Sequence, residues 1–290
     1  MRILVTGAGG MVGRAVVEYC RSSGDLVFPY DHPSLDIGDP DRVMQTLGKD
    51  KPDAVINCAA WTDVDGCEWD KERAFAANAR GPENLANASR ETNAVLVTIS
   101  TDYVFDGERE GFYTQRDQPN PRSVYGVAKL AGERRAQLAA ARTIVVRTGF
   151  VFGPGGSNFL STIIERARRG EKLKAIRDAY GTPAYAPDLA RRLRELVQLD
   201  LPGTFHIVNA GDGASYEEFA RATLDLAGYS STTLEPVEMD SLNRPAPRPR
   251  NSRLRCLLSE AVGLAPLPFW KDSLRGFAAL DSRREVAAQN

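Results

Sequence analysis

The most restrictive feature of the chain is its beginning. Arg2-Ile3-Leu4-Val5-Thr6 is a short β-branched run, Gly7-Ala8-Gly9-Gly10-Met11-Val12-Gly13 a glycine-rich turn, and Arg14-Ala15-Val16-Val17-Glu18-Tyr19 a helix-like pattern. A strand that turns through glycines straight into a helix is the first βα unit of a dinucleotide-binding fold. Glycines let the backbone turn tightly and approach a pyrophosphate, which rests on the helix N-terminus. The spacing is Gly7-x-x-Gly10-x-x-Gly13, and the stricter G-x-G-x-x-G does not fit because position 12 is valine. A glycine turn alone is weak, and a tight turn without a ligand is the plain alternative. Its place between a strand and a helix favours the nucleotide site.

The rest of the chain alternates in the same way. Leu26-Val27-Phe28, Ala54-Val55-Ile56-Asn57, residues 95–100 and Thr143-Ile144-Val145-Val146-Arg147 read as strands. Residues 70–91 read as a helix with Phe75, Ala79 and Leu85 inward, and residues 203–208 as a late strand. This predicts the α/β class: a Rossmann-type doubly wound parallel sheet, with a smaller C-terminal substrate-binding lobe. Ligands then sit at the carboxyl ends of the strands, where the Gly7 turn, Asp31, Ala59 and Thr101 fall.

Residues 1–150, with the late strand, are expected to bind the nucleotide, and residues 151–290 mainly to form the lobe. There Gly153-Pro154-Gly155-Gly156 marks a loop before a basic helix at 158–169. Arg244-Pro245-Ala246-Pro247-Arg248-Pro249-Arg250 is too proline-rich for helix or strand and reads as an ordered loop over the cleft. A terminal helix is expected near 268–280, and the last ten residues read as frayed and polar.

Chemistry enters with Tyr125-Gly126-Val127-Ala128-Lys129. A tyrosine and a lysine four apart share a helix face. An ammonium beside a phenol favours the phenolate and lowers a pKa that is ordinarily ~10. Such a tyrosine can exchange a proton with a carbonyl or alcohol near neutral pH. Thr101 ends the apolar run Val95-Leu96-Val97-Thr98-Ile99-Ser100. Tyr-x-x-x-Lys is common by chance, and a solvated helix pair is the alternative; the glycine turn gives the pair its weight.

Composition sets the class of molecule. With 42% hydrophobic and 26% charged residues, the 290-residue chain can bury a large core. A net charge of −1 gives no reason to expect nucleic acid or a membrane as partner. Cys20, Cys58, Cys67 and Cys256 lack metal-like spacing and read as reduced thiols of a cytoplasmic protein. The chain opens on its first strand, so no leader is expected, and no apolar stretch reaches membrane-spanning length.

Four longer motifs narrow the reading. They are Asn57-Cys58-Ala59-Ala60-Trp61-Thr62-Asp63-Val64-Asp65, Ser100-Thr101-Asp102-Tyr103-Val104-Phe105-Asp106-Gly107, Tyr125-Gly126-Val127-Ala128-Lys129-Leu130-Ala131-Gly132-Glu133, and Arg248-Pro249-Arg250-Asn251-Ser252-Arg253-Leu254. On these, and to about residue 280, the chain resembles the extended short-chain dehydrogenase/reductases, specifically the dTDP-4-dehydrorhamnose reductase group.

The resemblance implies reduction of a nucleotide-linked 4-keto-6-deoxy sugar with NADH or NADPH. It implies Tyr125 as proton donor to the sugar carbonyl, Lys129 as its electrostatic partner and a ligand of the nicotinamide ribose, and Thr101 as a hydrogen-bond partner of the substrate oxygen. Asp102 would touch the sugar, and Arg248 the nucleotide diphosphate. Gly7, Gly10, Met11, Val12 and Gly13 would face the cofactor diphosphate, Asp36 and Ile37 the adenine, and Ala59, Ala60 and Trp61 the nicotinamide half. Similar proteins often pair as homodimers, some with bound magnesium; no carboxylate cluster in this sequence supports a metal.

The chain departs from the group at Phe150, where the family usually carries a tryptophan that packs on the sugar. Phenylalanine keeps the apolar face and loses the indole donor. Asp31 ends the second strand, where a carboxylate accepts from a ribose 2′-hydroxyl and repels a 2′-phosphate, which favours NADH. The next residue is His32, where many relatives have arginine; Arg14 is the residue that would serve NADPH. Two other readings stay open. A 4,6-dehydratase or epimerase shares the scaffold, but Asp102 is followed by Tyr103, so the Asp-Glu pair of a dehydratase is incomplete. A non-catalytic nucleotide-binding subunit, like the regulatory subunit of methionine adenosyltransferase, also resembles this group.

Overall fold

The β-branched runs pair side by side and the amphipathic segments cover them. In a computed structural model the order is β1 (Arg2–Thr6), α1 (Met11–Ser22), β2 (Leu26–Tyr30), α2 (Pro40–Asp50), β3 (Ala54–Asn57), α3 (Val64–Trp69), α4 (Lys71–Phe75), α5 (Gly81–Thr92), β4 (Val95–Thr101), α6 (Val124–Ala139) and β5 (Thr143–Thr148). There follow β6 (Val151–Phe152), α7 (Phe159–Arg168), β7 (Leu173–Ile176), β8 (Tyr180–Gly181), β9 (Ala184–Tyr185), α8 (Ala186–Leu199), β10 (Gly203–His206), β11 (Ala214–Ser215), α9 (Tyr216–Leu226), β12 (Leu234–Val237), α10 (Leu257–Ala261) and α11 (Trp270–Gln289). The structure describes residues 1–289, and their side chains as far as residue 279.

The central sheet has six parallel strands in the order β10-β5-β4-β3-β1-β2. Its strands are apolar on both faces because both are covered. Val16 and Cys20 of α1 and Leu189, Leu193 and Leu196 of α8 pack against Ile3, Val5, Ile56, Val97 and Val146 on one side. Val43 and Leu47 of α2, Leu85 and Ala88 of α5 and Ala136 of α6 pack against Leu4, Val55 and Leu96 on the other. Strand order reverses between β1 and β3, and a crevice opens at such a switch point, outside the carboxyl ends of the strands. Local signals start the helices that frame it. Asp39 accepts from the backbone N of Asp41 and Arg42 with Pro40 first in α2, and Ser123 caps α6 by accepting from Gly126 N.

The helix expected over 70–91 is divided. Between α4 and α5, residues Ala76–Arg80 widen into a π-type turn. The Asn78 carboxamide there grips the backbone of Trp61, its Oδ1 accepting from Trp61 N at 3.0 Å and its Nδ2 donating to Trp61 O at 2.9 Å. A bond to a residue seventeen positions away leaves no periodic trace in the sequence. Ala79 and Leu85 are buried as expected; Phe75 is half-buried beside Tyr125.

After β5 the elements build a second apolar cluster: Phe152, Leu160, Ile164, Phe219, Trp270, Leu274 and Phe277. The expected basic helix is α7. The expected terminal helix begins at Trp270 and runs on to Gln289, past residue 280; the side chains of the tail expected to fray lie outside the described residues. The short pairings β7·β12, β8·β11 and β6·β9 were not expected, since two- to four-residue strands carry too little alternation to read. Among the described residues no helix is long and apolar enough to cross a membrane.

Candidate active site

The glycine turn is shaped by what it leaves out. Gly7 has φ +63°, and a Cβ there would lie 2.7 Å from the backbone of Cys58 and Ala59. A Cβ at Gly13 would lie 2.1 Å from the Gly7 carbonyl oxygen. The turn is thus pressed under the end of β3, and the first turn of α1 is pressed onto it. Gly10 N donates to Gly7 O at 3.0 Å, closing the turn, and α1 begins without a side-chain cap.

Two cavities flank this turn. One, of about 580 Å³, is lined by Gly7, Gly10, Asp31, Asp36, Ile37, Ala59, Ala60 and Trp61. The other, of about 440 Å³, is lined by Gly10, Met11, Val12, Gly13, Ala59, Ala60, Thr101, Asp102, Tyr125, Lys129 and Phe150. Gly10, Cys58, Ala59 and Ala60 belong to both, so the cavities meet over the turn. A strip of small residues, joining two chambers across a helix N-terminus, fits a dinucleotide.

Trp61 lines the Asp31 side only, not the side with Tyr125. Asn78 holds its backbone, and its ring lies under the Arg73 guanidinium, 4.5 Å from the ring centre. Arg14 Nε donates to Gly9 O at 2.8 Å, at the glycine turn itself.

In the second cavity three distant segments converge. Thr101 ends β4, and Tyr125 and Lys129 lie in the first turns of α6. Tyr125 and Thr101 line this cavity together, the Thr101 hydroxyl near enough to act on the phenol. Thr101 Oγ1 donates to Asp102 Oδ1 and accepts from Tyr103 N, each at 3.1 Å. Lys129 Nζ donates to the carbonyl of Ile99 at 2.7 Å.

The electrostatics reverse one expectation. Burial pushes the Tyr125 phenol well above its ordinary value, not below it, and the Thr101 hydroxyl opposes this only partly. Lys129 is fully enclosed too, and desolvation brings its ammonium down to about 8, against the attraction of Glu133. Lys129 Nζ bonds to the Ile99 carbonyl, and at the phenol desolvation is the largest influence. Burial likewise pushes the Asp102 carboxyl up to about 6, and its Oδ2 has no hydrogen-bond partner.

Phe150 forms the end wall. Its φ is +44°, rare for a bulky residue. Its ring lies against Tyr216, tilted by 34° with ring centres 4.3 Å apart, and a Cβ at Gly181 would come within 2.4 Å of it. Arg248 lies on the far side of Phe150, with Tyr103 and Tyr216, and its guanidinium is engaged by Asp65. Sequence reasoning missed Tyr216, which sits at the start of α9 with no local motif to mark it. It also passed over Tyr103, whose place beside Thr101 and Asp102 was a usable signal.

Comparison with known proteins agrees with this geometry. The family model described as the RmlD substrate binding domain matches residues 1–282. A dTDP-4-dehydrorhamnose reductase from Mycolicibacterium smegmatis is 39% identical over 281 residues, covering 96% of this chain and 85% of the relative. One from Streptomyces griseus is 38% identical over 289 residues, covering 97% of this chain and 95% of the relative. A crystal structure of the Bacillus anthracis dTDP-4-dehydrorhamnose reductase in complex with NADP has a TM-score of 0.92 at 33% identity, covering 95% of this chain and 98% of that one. A UDP-glucose 4-epimerase from Thermus thermophilus, 23% identical with a TM-score of 0.83, shares the fold. Because the matches run through both cavities and the elements around them, the chain belongs to the dTDP-4-dehydrorhamnose reductase family of extended short-chain dehydrogenase/reductases, and it is an oxidoreductase.

Proposed function

We propose that this chain reduces the 4-keto group of a nucleotide-linked 4-keto-6-deoxy sugar, with dTDP-4-dehydrorhamnose as substrate and dTDP-rhamnose as product. The observation that carries the reading is that Thr101 and Tyr125 line, with Lys129, a cavity continuous with the glycine turn. The curated relatives named for this reaction support the sugar.

A reduced nicotinamide bound there supplies the hydride. The protein supplies position and a proton. Tyr125, buried and kept neutral, arrives with its proton and gives it to the sugar oxygen. Thr101 holds that oxygen in line through its hydroxyl. Lys129, charged near neutral pH, stabilises the phenolate left behind until water returns a proton. Gly7, Gly10, Met11, Val12 and Gly13 hold the diphosphate on backbone groups; Asp36 and Ile37 flank the adenine, and Ala59 and Ala60 the nicotinamide half. Asp102 and Phe150 contact the sugar, and residues after Phe150, Arg248 among them, act as its lobe. Arg248 reaches a diphosphate by exchanging Asp65 for it.

The cofactor is a nicotinamide dinucleotide, and we read Asp31 as favouring NADH. Its carboxylate is held ionised by Ser34, which bonds it through both backbone and hydroxyl. The Bacillus anthracis relative was solved with NADP, so both cofactors belong in the test.

The test is incubation with a panel of nucleotide 4-keto sugars and each reduced cofactor, with identification of the alcohol formed. Cofactor oxidation only with 4-keto-6-deoxy sugars is expected. Binding without oxidation would favour the regulatory-subunit reading, and interconversion without net oxidation an epimerase.

A further inference from the structure

We propose that Glu133 is a positioning residue that keeps Lys129 charged and joins the chain segments carrying Thr101, Tyr125 and Phe150. It rests on the reading that Lys129 works as a cation. Glu133 follows Lys129 by one turn on the same face of α6. Its Oε1 accepts from Ser100 Oγ at 2.5 Å and Arg147 Nε at 3.0 Å, and its Oε2 from Arg147 Nη2 at 2.7 Å. Glu133 and Arg147 are 5% and 7% exposed, so this is an ion pair inside the protein.

Each partner is next to a working residue. Ser100 precedes Thr101 on β4. Arg147 lies opposite Ser100 in the β4–β5 register, and Thr148 opposite Thr101, just before Gly149 and Phe150. One carboxylate therefore ties β4, β5 and α6 together directly behind the site. A buried ion pair seldom adds much stability over apolar packing, so its value here is positional and electrostatic.

The charges around Lys129 make the electrostatic role specific. On its own helix it faces Glu133 and Tyr125. From the end of β3 comes Cys58, whose thiol burial pushes up to about 12. From β4 come Ser100 and Thr101, while Asp102 faces Tyr125. From β5 comes Arg147, and behind it His206 of β10, brought down to about 3 by burial and by Arg147. With Cys58, Tyr125 and His206 neutral, Glu133 is the anion that supports the lysine's charge.

The two members of the pair therefore act on Lys129 with opposite signs. The test is NMR titration of isotope-labelled lysine in the ligand-free protein, the Lys129 signal being assigned by Lys129→Arg. Glu133→Gln removes the anion and should lower the Lys129 midpoint by about one pH unit. Arg147→Gln removes the opposing cation and should raise it. Because either change leaves a buried charge unpaired and can prevent folding, Ser100→Ala is the third arm. It removes one donor to Glu133 and should raise the midpoint by roughly a third of a unit. Opposite shifts in the charge variants, or the upward shift in Ser100→Ala, support the proposal. Shifts of the same sign, or a Lys129 midpoint unmoved in every variant that folds, overturn it. No substrate is used, so the result stands apart from the identity of the sugar.

Discussion

Arg248 forks onto Asp65. Nη1 lies 2.9 Å from Oδ1 and Nη2 2.8 Å from Oδ2, while Ala246 N donates to the same Oδ1 at 3.0 Å. Asp65 is on α3, and its neighbour Val64 lines the cavity with Tyr125. The pair thus fastens the proline-rich segment to the wall of the cleft. Asp65→Asn should loosen that segment alone. Hydrogen exchange at the amides of Arg244, Ala246, Arg248 and Arg250, the residues between them being prolines, should quicken on the order of tenfold, the scale of one charge-assisted pair. Unchanged exchange there would show that the prolines suffice to hold it.

Tyr125→Phe tests the proton donor. The ring stays and the hydroxyl goes, so cofactor affinity should hold within about twofold while turnover falls by about 10²-fold or more. Fluorescence titration of the reduced cofactor and steady-state rates separate the two. Normal turnover would remove Tyr125 from the chemistry.

Asp102 carries a pH signature. Its carboxyl keeps its proton to about 6 in the native protein, against an ordinary value of 3.8. Between those values the native state binds more protons than the unfolded chain, so this group's contribution to stability falls as pH rises and is lost above the window. Asp102→Asn should raise the melting temperature by roughly 3–6 °C at about pH 7. The gain should vanish below about pH 4. Calorimetry across this range checks it, and a gain that does not depend on pH would contradict the burial argument.

Asp31 lines the cavity beside Gly9, and its carboxylate stays ionised. Asp31→Ala should shift the ratio of kcat/KM with NADPH to that with NADH upward by roughly two- to fivefold, the scale of one exposed charge. The same variant loses the bonds to Ser34, so KM for both cofactors should rise. An unchanged ratio would place the ribose elsewhere.

Much of the framework was legible because its signals are local. The glycine turn, the apolar runs of β1, β3, β4 and β5, and the caps of α2 and α6 each sit within a few residues of sequence. The convergence of Thr101, Tyr125 and Lys129 was legible because parallel strands end on one side of a sheet. The sense of the Tyr125 shift was not, because desolvation depends on everything packed around a phenol and Tyr-x-x-x-Lys reports one neighbour. Which side of the turn Trp61 lines was not legible either, since the Asn78 carboxamide that grips its backbone lies seventeen residues away. The grip of Glu133 on Ser100 and Arg147 links three separate segments, and no spacing within any one of them announces it.

The left-handed backbone at Phe150 has a consequence for how this cleft can diversify. A bulky residue held there costs about 1–3 kcal/mol unless its surroundings fix it. Here the fixing comes from Tyr216, tilted against the ring, and from Gly181, where any side chain would strike it. Enlarging the wall to an indole, or trimming it to admit a wider sugar, therefore disturbs all three positions at once. Lineages that change their sugar at this wall should exchange residues 150, 181 and 216 as a set, and a library for altered specificity should randomise them together.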